Sequence, residues 1–87
     1  MRRLLNLVGP QVRKLRVQKG WTQDALAEKL QLQAWDVSRT SLAKLEAQLR
    51  RVPDCELLFL SKVLRVPVAD LFPPNPNLKK IGPQLRA

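Results

Sequence analysis

The chemistry this chain offers is cationic. Of its 87 residues, 16 are Lys or Arg against 7 Asp or Glu, giving a formal net charge of +9 at pH 7 with no histidine. The basic residues fall in blocks. Arg2, Arg3, Arg13, Lys14, Arg16 and Lys19 all precede the first acid, Asp24; Arg39, Lys44, Arg50 and Arg51 surround Glu46; Lys79, Lys80 and Arg86 close the chain without an acid. If such blocks converge in space they make a basic face, which attracts nucleic acid, an anionic membrane surface or an acidic protein. Dispersed, the same charges do no more than solvate a small domain.

What is missing narrows the chemistry further. With no histidine and Cys55 as the single cysteine, the chain cannot build a Cys/His zinc site, a Cys-His nucleophile or an internal disulfide. Few acids and no Gly-rich phosphate loop leave no catalytic constellation, so no catalytic residue, metal or cofactor is expected. The longest apolar run, residues 57–60, is far short of the ~20 residues that span a bilayer. The opening Met1-Arg2-Arg3-Leu4-Leu5-Asn6-Leu7-Val8 is broken by Asn6 and closed by Gly9-Pro10, unlike a signal peptide. A cytoplasmic protein is expected. Trp21 and Trp35 have no tyrosine or clustered aromatics around them, so neither a base-stacking platform nor the aromatic surface of RNA readers is supported. Trp21 reads as core, Trp35 as a cover over the core edge, and Cys55 as structural.

The elements that must position the charges read as helical throughout. No window alternates with period two, so the chain is all-α, with Gly and Pro punctuating five helical stretches. The first starts near Pro10, buries Val12 and Leu15, and ends at Lys19 before Gly20. The second opens on Thr22 as N-cap and carries Leu26, Ala27 and Leu30 on one stripe. The third opens on Ser38 and runs to about residue 49, with Leu42, Leu45 and Leu49 inward and Arg39, Thr40 and Lys44 on the polar side. Asp54 is expected to cap a fourth, heavily buried helix with Leu57, Leu58, Leu60 (or Ser61), Val63 and Leu64 on its apolar stripe. A short turn over residues 68–72 follows, and Pro73-Pro74-Asn75-Pro76-Asn77 stops regular structure. The expected organisation is a basic arm (1–8), a domain (9–72) and a Pro-rich basic tail (73–87). The match of residues 9–13 with 82–86 sits in no longer repeat and reads as chance.

Over residues 9–72, this order resembles the Cro/lambda-repressor-type (XRE-like) helix-turn-helix family. Lys19-Gly20-Trp21-Thr22-Gln23-Asp24-Ala25-Leu26-Ala27, then Ser38-Arg39-Thr40-Ser41-Leu42-Ala43-Lys44-Leu45-Glu46, then Leu64-Arg65-Val66-Pro67-Val68-Ala69-Asp70-Leu71-Phe72 carry the resemblance. It implies a compact five-helix domain whose third helix enters a DNA major groove. Two features depart from the family's habit. The turn between helices two and three is lengthened by residues 31–37, and Ala47-Gln48-Leu49 replaces a glycine soon after Glu46.

The resemblance also implies site roles. Arg39, Thr40 and Lys44 take the base-reading positions: Arg39 to fork onto guanine, Lys44 to reach guanine or phosphate, Thr40 to touch a thymine methyl. Gln23, Ser41, Arg50 and Arg51 take phosphates. Arg16 and Glu46 form a partly buried ion pair joining helices one and three, a structural role. The implied protein is a sequence-specific double-stranded-DNA-binding transcriptional regulator, acting as a homodimer on a two-fold site in the cytoplasm at the nucleoid. The alternative is an antitoxin-like or adaptor module that uses the same fold to hold a protein partner, motivated by Trp35 in the 31–37 segment and by the tail.

Overall fold

The computed structural model describes residues 4–85, so Arg2, Arg3 and Arg86 of the expected arm and tail lie outside the described residues. Local capping sets most of the helix starts. Helix α1 (Gly9–Gln18) has Pro10 in its first turn, and the Asn6 Oδ1 accepts from the Gly9 N–H at 2.9 Å. Helix α2 (Gln23–Leu32) is capped by Thr22, whose hydroxyl accepts from the Ala25 N–H. Helix α3 (Arg39–Glu46) is capped by Ser38, whose hydroxyl accepts from the Ser41 N–H. Helix α4 (Asp54–Leu64) follows Pro53, a 3₁₀ turn spans Val68–Leu71, and a one-turn helix α5 (Leu78–Ile81) runs into a second 3₁₀ turn, Gly82–Gln84. No strand occurs among the described residues.

The core is aliphatic. Val12 of α1, Leu26 and Leu30 of α2, Leu42 and Leu45 of α3, Leu60 and Leu64 of α4, and Leu71 are fully buried, and Val37 is drawn in from the connection before α3. Helix α3 packs on both α1 and α2. Its approach to α1 is close: a Cβ on Gly9 would meet the Leu45 and Glu46 carbonyl oxygens at 2.4 and 2.8 Å. Gly9 is therefore the residue that lets α1 sit on the end of α3.

Several expectations are corrected. Helix α3 ends at Glu46, not near residue 49. Gln48 turns left-handed (φ 62°), the Leu49 N–H bonds back to the Lys44 carbonyl, and Leu49 is exposed. This is a Schellman stop with glutamine where glycine is usual. Asp54 is the first residue of α4 rather than its cap, which is Pro53. Leu58 is exposed because it lies about 200° round the helix from Leu60, outside the buried arc of Leu60, Ser61 and Leu64.

Neither chain end is a loose appendage in its described part. The Asn6 amide donates to the Leu45 and Arg50 carbonyls, the Gln48 amide donates to the Asn6 carbonyl, and Val8 is buried. The expected basic tail forms α5, capped by Asn77, and the Gln84 Oε1 accepts from the Leu4 N–H at 2.9 Å. The five-proline-and-asparagine stretch breaks the chain direction without ending the fold.

Candidate nucleic-acid interface

Helix α3 has two faces fixed by its sequence. Leu42, Leu45 and Glu46 are buried, while Arg39, Thr40 and Lys44 are exposed. At 100° per residue these three share one outward sector of the helix. The lengthened 31–37 connection does not cover them. It turns into the protein instead: Val37 is buried, and Trp35 packs on Phe59 of α4 with ring centroids 5.9 Å apart. Ser41 lies half-buried beside this sector.

Beneath α3 sits a buried ion pair. The Arg16 Nε and Nη2 donate to the two Glu46 carboxylate oxygens at 2.7 and 3.0 Å, and the Arg16 Nη1 donates to the Trp21 carbonyl at 2.8 Å. The paired fork matches the carboxylate geometry and fixes both side chains. The Gln23 Nε2 also donates to Glu46, at 3.1 Å. Gln23 is thus half-buried at the start of α2 and already holds the far end of α3 with one of its two amide hydrogens.

At the near end, the Arg39 Nη1 lies 3.7 Å from the Asp24 Oδ2, both side chains being about two-thirds exposed. Both ends of α3 therefore reach the first turn of α2. Residue order places Asp24 one step after Gln23 but does not reveal its proximity to Arg39, fifteen residues further on.

The two arginines after α3 behave differently. Arg51 is exposed. Arg50 is turned inward: its Nε donates to the Ser41 carbonyl, and its Nη1 to the Arg51 carbonyl and to Glu56 at 2.7 Å. Its Nη2 is buried without a partner. Arg50 braces the stretch after α3 against α4, and its guanidinium is not presented outward for a phosphate.

The stretch that holds α2, the connection and α3 falls within what the comparisons with known proteins match. The helix-turn-helix family profile fits residues 12–71. The chain belongs to this helix-turn-helix family. Among solved structures, this helix-turn-helix protein is similar to the restriction-modification controller protein C.AhdI from Aeromonas hydrophila, with 28% identity, a TM-score of 0.67, and 78% of this chain and 96% of that chain covered. No curated protein matches it. Membership and likeness together make it a DNA-binding regulator of the XRE type rather than an enzyme. Among the described residues, no helix is long and apolar enough to cross a membrane.

Proposed function

We propose that this helix-turn-helix regulator reads double-stranded DNA through α3, with Arg39, Thr40 and Lys44 on base edges in the major groove. The observation that carries the reading is the exposure of these three side chains on one sector of a helix whose opposite sector is locked into the core. A helix of α3's dimensions fits a groove about 12 Å wide, and a guanidinium forks onto guanine O6 and N7. The second Gln23 amide hydrogen, the Ser41 hydroxyl and Arg51 take phosphates on either side. Arg50 is left out, because its guanidinium is turned inward onto the Ser41 and Arg51 carbonyls and Glu56.

The protein acts as a homodimer on a two-fold site in the cytoplasm, with half-sites about 34 Å apart. An apolar groove of about 460 Å³, lined by Leu5, Val8, Val52, Leu57 and Phe72 among others, supports a self-complementary contact, as do the exposed Val68 and Phe72. Occupying the site and blocking polymerase access is sufficient mechanism; no catalytic step is needed.

The decisive test is selection from a random duplex pool. An enriched palindrome whose half-site preference relaxes at one base pair in Arg39→Ala supports the reading. A flat pool, or equal weakening on every sequence, overturns it.

The adaptor alternative loses one of its motives. Trp35 is packed on Phe59 rather than presented to a partner.

A further inference from the structure

Away from α3, the C-terminal ends of α1, α2 and α4 converge around a hollow of about 420 Å³. Lys19 caps α1, Lys29 lies in the last turn of α2, Lys62 lies in the last turn of α4, and Arg65 is the left-handed C-cap of α4. All four line the hollow, with Trp21 at its wall and no acidic residue among its lining. The ammonium groups of Lys29 and Lys19 stand over the Trp21 ring, 4.6 and 5.3 Å from its centroid.

Cations at helix C-termini usually answer the helix dipole and the unpaired last carbonyls. Here the backbone already takes at least one of those carbonyls at each helix end. The Trp35 N–H bonds to the Leu30 carbonyl, the Val66 N–H to the Ser61 carbonyl, and the Lys19 and Trp21 N–H groups to the Arg16 carbonyl. Among the described residues the ion pairs are Arg16–Glu46, Arg39–Asp24 and Arg50–Glu56, so none of the four cations has an acidic partner. Three helix C-termini carry only about half a negative charge each, so the four cations keep a surplus of positive charge, and a multivalent anion removes the remaining repulsion.

The hollow also lies away from the proposed DNA-binding sector. Both ends of α3 reach the first turn of α2, through Arg39–Asp24 and Glu46–Gln23, whereas Lys29 lies about 9 Å further along α2. The volume falls in the range of small-ligand sites.

We propose that this hollow binds a small polyphosphate, free or carried on a nucleoside, at a site separate from the duplex. Lysines supply mobile point charges for phosphate oxygens, and Trp21 supplies a flat face that a nucleobase can share once Lys19 and Lys29 swing onto the phosphates.

The test is nitrogen-15 NMR of the full chain titrated with inorganic tripolyphosphate and, in a separate arm, with ATP. Saturable, salt-sensitive shifts centred on the Trp21 indole and on Lys19, Lys29 and Arg65 are expected. Lys29→Ala and Lys62→Ala should each weaken binding about fivefold, whereas Lys14→Ala, on the outer face of α1, should leave it unchanged. Tighter ATP than tripolyphosphate binding identifies a nucleoside-borne ligand, and equal binding a free polyphosphate. Shifts centred on Arg39, Thr40 and Lys44, shifts spread evenly over the surface, the absence of saturation, or displacement of tripolyphosphate by duplex DNA would each overturn the proposal. The mapping on the unaltered chain stands even if a variant fails to fold.

Discussion

The Arg16 guanidinium and the Glu46 carboxylate meet as a two-pronged pair, 2.7 and 3.0 Å, with side chains only 10% and 3% exposed. The pair joins α1 to the last residue of α3, so the helix that presents Arg39 and Lys44 is anchored from beneath at its far end. A buried carboxylate left without its partner is strongly unfavourable. Arg16→Ala should therefore lower stability by about 3–5 kcal/mol, whereas Arg13→Ala, at an exposed position of the same helix, should change it by less than about 0.5 kcal/mol. Thermal or urea unfolding of the two variants checks this, and equal losses would contradict the anchoring role.

Gly9 makes a second joint between the same helices. An added Cβ would lie 2.4 Å from the Leu45 carbonyl oxygen and 2.8 Å from that of Glu46, and both obstacles are backbone. Gly9→Ala should push α1 off the end of α3 and lower stability by about 1–3 kcal/mol, although alanine is the better helix former. A urea midpoint at or above that of the unaltered protein would show that α1 can shift at no cost.

Much of this frame is legible in the chain. Thr22 and Ser38 cap as their residue type demands, the leucine spacing of α2 and α3 gives their buried faces, and the Arg16–Glu46 pair follows from the family resemblance. The helix stops were less legible. Ala34, Gln48 and Arg65 all adopt the left-handed conformation that closes a helix, at φ 71°, 62° and 58°. None is glycine, and only a tertiary fold holds such residues there. Side-chain commitments were hidden for a related reason. Residue type could not show that Arg50 points inward to Glu56 while Arg51 points out, or that Gln23 already serves Glu46.

The strain at Ala34 can be relieved without touching any contact beyond one methyl group. Ala34 is exposed, its N–H bonds to the Gln31 carbonyl, and the following Trp35 N–H bonds to the Leu30 carbonyl. Glycine keeps both bonds and removes the left-handed penalty. After its own entropic loss, Ala34→Gly should raise stability by roughly 0.5–1 kcal/mol. A lower melting temperature for this variant would mean that residues 31–37 are not held in the Schellman geometry.

Asp24 and Arg39 form an exposed contact, so their pairing contributes little to folding. Its weight falls on recognition instead. If α3 reads DNA as proposed, Asp24 restrains Arg39 before the duplex arrives and places a negative charge near its phosphates. Arg39→Ala should relax preference at one base pair per half-site, by about 1–3 kcal/mol. Asp24→Asn should tighten binding to every sequence while narrowing the gap between operator and random duplex, with a melting temperature close to that of the unaltered protein. Quantitative binding to matched and mismatched duplexes separates these outcomes; an Asp24→Asn protein with unchanged selectivity would leave Arg39 oriented by DNA alone.

Arg50 and Arg51 provide the sharpest contrast, because adjacent residues of one type should fail in different ways. Arg50 holds the Ser41 carbonyl, the Arg51 carbonyl and Glu56. Its removal strands the half-buried Glu56 and loosens the segment between α3 and α4, so Arg50→Ala should lower stability by about 2–4 kcal/mol. Arg51 is exposed, and its removal should leave the unfolding midpoint in place. If Arg51 neutralises one phosphate, Arg51→Ala should reduce the slope of log K against log salt by about 0.9 and weaken all sequences alike. Measuring unfolding and salt dependence on both variants decides the assignment. A stable Arg50→Ala protein with a reduced salt slope would return Arg50 to the DNA contact and show that its inward bonds break when the duplex arrives.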